Sequence, residues 1–166
     1  MIRLRMTRRL PEAGSSLLRE RPTEPCPVHV RTDEREGFDA LLFLAYLDGP
    51  DQEEDTVEEA RAEIARTLDG GYGPLIPKAS FVVRDAEGPV VATFVVLHGS
   101  APLLAHVVVH PRAQGRGLGT SQMQRSIAAL AERGHSEVTL AVPPDNRARR
   151  LYERLGFVVE GPPPRA

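Results

Sequence analysis

The stretch Gln114-Gly115-Arg116-Gly117-Leu118-Gly119-Thr120 sets three glycines at alternate positions around one arginine. It follows an apolar run, Leu103 to Val109, and precedes a segment with helical periodicity. Strand, glycine-rich turn and helix start together make an anion site. The first N–H groups of a helix have no intrahelical partners, the dipole is positive there, and glycines let a phosphate touch the backbone. Arg116 adds a charge-assisted donor and Thr120 a hydroxyl. The spacing excludes two common phosphate loops. Lys78 is the only lysine in the chain, so no GxxxxGK[ST] is present, and the glycines run GxGxG rather than GxGxxG. Taken alone, such a cluster also reads as a flexible turn.

Hydrophobic periodicity supplies the elements that must position this loop. Val28 to Arg31 alternates as a strand, and Thr32 to Leu47 places Phe38, Leu41, Leu42 and Ala45 on one helical face. The loop "DGPDQEEDT" leads to a second helix with capping-box spacing at Thr56 and Glu59, ended by Gly70-Gly71. Ser80 to Arg84 and Val90 to Leu97 flank the hairpin turn "DAEG", and Leu103 to Val109 is a third strand. A helix then runs to Arg133, followed by a buried strand Glu137 to Val142, a helix Asn146 to Leu155 and a last strand Phe157 to Val159. This order, β-α-α-β-β-β-α-β-α-β, predicts a single-domain α/β fold with a mixed central sheet and helices on both faces. Residues 1–27, rich in Arg and Pro, read as a short strand, an arm or a disordered tail; 28–160 form the domain and 161–166 a Pro-rich tail.

A chain of 166 residues with 41% hydrophobic and 27% charged residues and a net charge of −2 fits one water-soluble domain. Its charge is uneven. Thirteen acidic residues between Asp33 and Asp69 oppose three arginines, whereas eight arginines between Arg112 and Arg154 oppose four acids. An acidic front and a basic back suit a cationic and an anionic ligand, or are two solvated helix faces. The single cysteine, Cys26, excludes an intramolecular disulfide framework and a cysteine metal cluster. No apolar run approaches the roughly 18–20 residues that span a bilayer, and no signal-peptide core stands near Met1, so the expected location is the cytoplasm. The "RARR" at 147–150 is set aside as a nucleic-acid site because the front of the chain is acidic.

Gln114-x-x-Gly117-x-Gly119 resembles the Q/R-x-x-G-x-G/A signature of the GCN5-related N-acetyltransferase superfamily. "ARRLYERLGF", Ala148 to Phe157, resembles the family's second recurrent segment, A-x-x-L-Y-x-x-x-G-F. The resemblance implies acetyl-CoA as cosubstrate, no metal, an amine acceptor and, as in many members, a homodimer. It implies that the peptide groups of Val107 and Val109 pair with the pantetheine arm. Gln114, Gly115, Arg116, Gly117, Gly119 and Thr120 would then wrap the pyrophosphate. Tyr152 falls on the position of the acid that protonates the departing thiolate.

Three departures or open points remain in the residues themselves. Histone-type members place a glutamate base where Leu103 stands here. His98, His106 and His110 lie near the site in sequence, and His106 is the candidate base, beside water or a carboxylate of the acidic front. Asn146 stands one residue closer to Ala148 than the family's asparagine, whose place Asp145 takes; one of the two caps the helix and one is a candidate contact to the cofactor. Arg147, Arg149 and Arg150 meet CoA phosphates or are merely solvated. The loop "DGPDQEEDT" suggests a cationic acceptor such as a polyamine, aminoglycoside or basic peptide. A non-catalytic acyl-CoA sensor or structural module on the same fold is the alternative.

Overall fold

The computed structural model describes residues 3–13, 26–49 and 52–160. Seven strands form one sheet in the order β2-β3-β4-β5-β6-β1-β7: β1 Leu4–Arg9, β2 Val28–His29, β3 Phe81–Asp85, β4 Gly88–His98, β5 Ala101–Val109, β6 Glu137–Val142 and β7 Val158–Val159. The helices are α1 Phe38–Tyr46, α2 Val57–Leu68, α3 Leu118–Glu132 and α4 Ala148–Arg154. All neighbouring strands are antiparallel except β5 and β6, which are parallel. The sheet is therefore mixed, as the element order predicts.

The central strand β4 is buried on both faces, and its side chains divide the core in two. On one face Ala92 and Phe94 meet Phe38, Leu41 and Leu42 of α1 and Ala60, Ile64 and Leu68 of α2. Opposite, Val95 joins Met123, Ile127 and Leu130 of α3, with Tyr152 and Leu155 of the α4 region packed alongside. α2 begins with half of the expected capping box: Thr56 Oγ1 accepts from the Glu59 N–H at 3.1 Å, whereas Glu59 Oε2 reaches one residue past the N-cap and accepts from the Asp55 N–H at 2.6 Å.

One local outcome selects among open readings and two differ from the sequence reading. Of the readings open for the N-terminal stretch, a strand forms over Leu4–Arg9 and inserts between β6 and β7, with Met6 fully buried opposite Leu140. α1 starts at Phe38 rather than Thr32, because Gly37 takes a left-handed φ of 81° and an added Cβ would lie 2.7 Å from Pro89 Cδ. β2 is confined to Val28–His29. The expected Pro-rich tail at 161–166 lies outside the described residues. Among the described residues no helix is long and apolar enough to cross a membrane.

Candidate active site

β5 and β6 meet at one pair of residues, Leu103 and Thr139. Beyond it the two strands diverge, and from Leu104 to Val109 no described strand stands on that side of β5. A bulge strengthens the divergence. Phe94 faces His106 and Val95 faces Leu104, so Ala105 is an extra residue that bends β5. The opening is a cleft of about 190 Å³ lined by both strands, by Tyr152 of α4 and by Tyr46, Glu54 and Glu63 from the α1–α2 side.

The glycine loop lies at the far end of β5. Gly115 and Gly117 have φ of 79° and 74°, and a Cβ on either would meet nothing within 4 Å. They are therefore required by backbone conformation, and both leave open space over the loop. Gly117 is also the N-cap of α3 and offers no side chain to the first-turn N–H groups. Gly119 is helical and differs in kind, for its Cβ would press on Val109 Cγ2 at 3.2 Å. Gln114 turns back, its Nε2 donating to the Val109 carbonyl at 3.1 Å. Arg116 is exposed and Thr120 half-buried in the first turn of α3.

Residues 29–157 match the model of the acetyltransferase (GNAT) family. The chain belongs to this family of acyltransferases. It is similar to mycothiol acetyltransferases of Beutenbergia cavernae, with 34% identity over 135 residues, and of Thermomonospora curvata, with 32% over 157 residues. These alignments cover 75% and 86% of this chain but 41% and 50% of the relatives, so the chain spans about half the length of the curated relatives it matches. A GCN5-related N-acetyltransferase from Sphaerobacter thermophilus superposes with a TM-score of 0.69 at 18% identity, over 96% of this chain and 49% of that one. Another from Ralstonia eutropha superposes at 0.59 and 17%, over 84% and 96%. At such identity these two structures support the fold alone.

GNAT acetyltransferases draw on acetyl-CoA, and the fit of this chain to that cosubstrate rests on two observations. The open space above Gly115 and Gly117 suits a pyrophosphate against backbone N–H groups, and the one-sided edge of β5 suits an extended pantetheine arm. The carbonyl of Val107 accepts from Tyr46 Oη at 3.0 Å and that of Val109 from Gln114. A carbonyl oxygen has two lone pairs, so each keeps one acceptor position.

The family's two segments and the histidines are placed as follows. Tyr152 lines the cleft and packs edge-on against Phe157, ring centroids 6.2 Å apart. Leu103 lines the cleft at its closed end. His106 also lines it, with Nε2 at 3.2 Å from both Glu63 Oε1 and Thr67 Oγ1. His98 is turned away, Nδ1 at 2.8 Å from the Tyr72 carbonyl, and His110 Nδ1 accepts from the Arg112 N–H. Burial and the neighbouring Arg112 hold the His110 imidazole below its usual pKa. Asn146 is buried, and its Oδ1 accepts from the Ala148 N–H at 2.7 Å, so it closes the turn into α4. Arg149 pairs with Glu153 along α4 at 3.0 Å.

Sequence reasoning missed the partners of His106. Tyr72 Oη donates to Glu63 Oε1 at 2.7 Å, and burial with that bond pushes the Tyr72 phenol up to about 12. Burial alone would raise the Glu63 carboxyl, but hydrogen bonds from His106 and Tyr72 outweigh it and leave the group below its ordinary value. Glu54 moves the other way, raised by burial and then by the charge of Glu63. Arg3 reaches the rim from the start of β1, its Nη2 2.7 Å from Glu53 Oε1 and its Nη1 3.4 Å from the Ala141 carbonyl. No signal in the sequence separates Glu63 from twelve other acids in the same region. Among the described residues no group of three or more potential metal ligands is present.

Proposed function

We propose that this chain transfers the acetyl group of acetyl-CoA to an amine that enters from the acidic rim, and that the acceptor is cationic. The observation that carries this reading is one cleft whose walls hold both Tyr152 and His106. Bound in the cleft, acetyl-CoA supplies an acyl thioester. The glycine loop and Gln114 hold and orient its phosphate end. His106 takes a proton from the attacking amine as the N–C bond forms, and Tyr152 gives its proton to the thiolate as the C–S bond breaks. Glu53, Glu54 and Glu63 line the cleft with Arg3, which pairs with Glu53, so acid outnumbers base there and favours a positively charged acceptor.

The test is release of free thiol from acetyl-CoA across polyamines, aminoglycosides, basic peptides, neutral amines and acceptors of the mycothiol class, the last because relatives carry that name. Release that requires an amine, prefers a cationic one and falls in Tyr152→Phe supports the proposal. Binding of acetyl-CoA without turnover on the whole panel would support the non-catalytic sensor instead.

A further inference from the structure

Which nitrogen of His106 is basic follows from its neighbours. Nε2 stands 3.2 Å from Glu63 Oε1 and 3.2 Å from Thr67 Oγ1. The first is a carboxylate oxygen, which only accepts while ionised. Thr67, fully buried, already donates its hydroxyl hydrogen to the Glu63 carbonyl at 3.0 Å, one turn back in α2. The hydroxyl thus presents an oxygen lone pair to the ring. A bare Nε2 would set its own lone pair against an anion at 3.2 Å, so the hydrogen belongs on Nε2.

We infer that Glu63 is a positioning residue, which keeps His106 in the Nε2–H tautomer and so leaves Nδ1 as the nitrogen that takes the proton. This deepens the proposed function and rests on its reading of His106 as the base. Two further contacts hold the arrangement. Tyr72 Oη donates to the same carboxylate oxygen at 2.7 Å and so helps to fix Glu63. Phe94 of β4 stands edge-on to the imidazole, centroids 6.1 Å apart and planes at 83°, and limits rotation of the ring. The charged groups around the pair are Arg66 on α2, which acts on Glu63, and Glu54 on the α1–α2 loop, on which His106 acts. His106 and Glu63 are only 13% and 16% exposed in their side chains, so water competes little for these bonds. When Nδ1 is protonated, the Glu63 carboxylate balances the imidazolium without moving.

The experiment combines a tautomer measurement with kinetics. Nitrogen-15 imidazole spectra of the full chain give the tautomer of each histidine, and His106 is assigned by the signal lost in His106→Gln. The expected result is Nε2–H in the wild type and a mixture in Glu63→Gln. Glu63→Gln should lower kcat by about 10-fold with the KM for acetyl-CoA little changed, because the imidazole is no longer held in one tautomer. Glu63→Asp keeps the carboxylate and should keep Nε2–H in the spectra even if kcat falls. Tyr72→Phe tests the same hold on Glu63 without changing charge and should also mix the tautomers. Nδ1–H in the wild type, or Glu63→Gln spectra matching it, would overturn the inference. If thiol release shows no turnover, the reading of His106 as base fails, while the spectra still decide what Glu63 does.

Discussion

Gly119 lies against Val109: a Cβ on Gly119 would come within 3.2 Å of Val109 Cγ2 and 4.0 Å of Val107 Cγ1. The contact brings the start of α3 down onto the open half of β5. Gly119→Val should therefore cost about 1–3 kcal/mol by overpacking and weaken acetyl-CoA binding. Gly119→Ala requires only a few tenths of an ångström of adjustment, and the gain in helix propensity, about 1 kcal/mol, offsets it. Gly117→Ala should cost about 1–2 kcal/mol for the opposite reason, its left-handed φ of 74°, although nothing lies near. Urea unfolding and calorimetric titration with acetyl-CoA test all three. Equal behaviour of Gly119→Ala and Gly119→Val would contradict the contact.

The glycine loop and "ARRLYERLGF" were legible because each is local: spacing alone separates GxGxG from the other phosphate loops. β1 was not. Arg5, Arg8 and Arg9 mask the inward positions Leu4 and Met6, and its place between β6 and β7 is a pairing across more than a hundred residues. The same limit hid the surroundings of His106. Its partner Glu63 is 43 residues away and arrives through the packing of α2 on the sheet, with Thr67 one turn further along the same helix. Gly37 was visible as a glycine, but that no side chain fits there depends on Pro89 of β4, which packs against it.

Tyr152→Phe should lower kcat by about 10²-fold while the KM for acetyl-CoA changes little. The ring still packs against Phe157 and the core, so the melting temperature should stay near that of the wild type. Steady-state thiol release read with thermal unfolding checks this. A parallel fall in kcat and stability would instead make Tyr152 a packing residue.

Glu54→Gln and Glu63→Gln should change stability at pH 7 in opposite directions. Glu63 has a folded pKa below its unfolded value, so its contribution is present above about pH 4.3 and is lost as pH falls through the lower folded value. Glu54 has a raised folded pKa, so its ionisation on the neutral side is a cost that acid relieves. Neutralising Glu54 should stabilise the protein at pH 7, and neutralising Glu63 should destabilise it and flatten the acid limb of stability. Urea midpoints at pH 7 and pH 4 measure both. Shifts of the same sign at pH 7 would show that the two carboxylates do not differ in this way.

Gly73→Ala and Gly88→Ala form a matched pair. The two glycines share nearly the same φ, 122° and 123°, so each substitution carries comparable backbone strain. At Gly88 a Cβ meets nothing within 4 Å, whereas at Gly73 it would stand 1.9 Å from the Leu97 carbonyl oxygen. Gly73 lets the chain lie along β4, where Leu97 N–H donates to the Pro74 carbonyl and Ile76 N–H to the Val95 carbonyl, both at 2.8 Å. That course also brings the Tyr72 hydroxyl to Glu63. Gly73→Ala should thus cost about 3 kcal/mol more than Gly88→Ala, or about 6–12 °C in melting temperature, and should disturb the His106 signals as well. Thermal unfolding of the two variants side by side measures the difference, and melting temperatures within two or so degrees of each other would remove the collision with Leu97 as a cause.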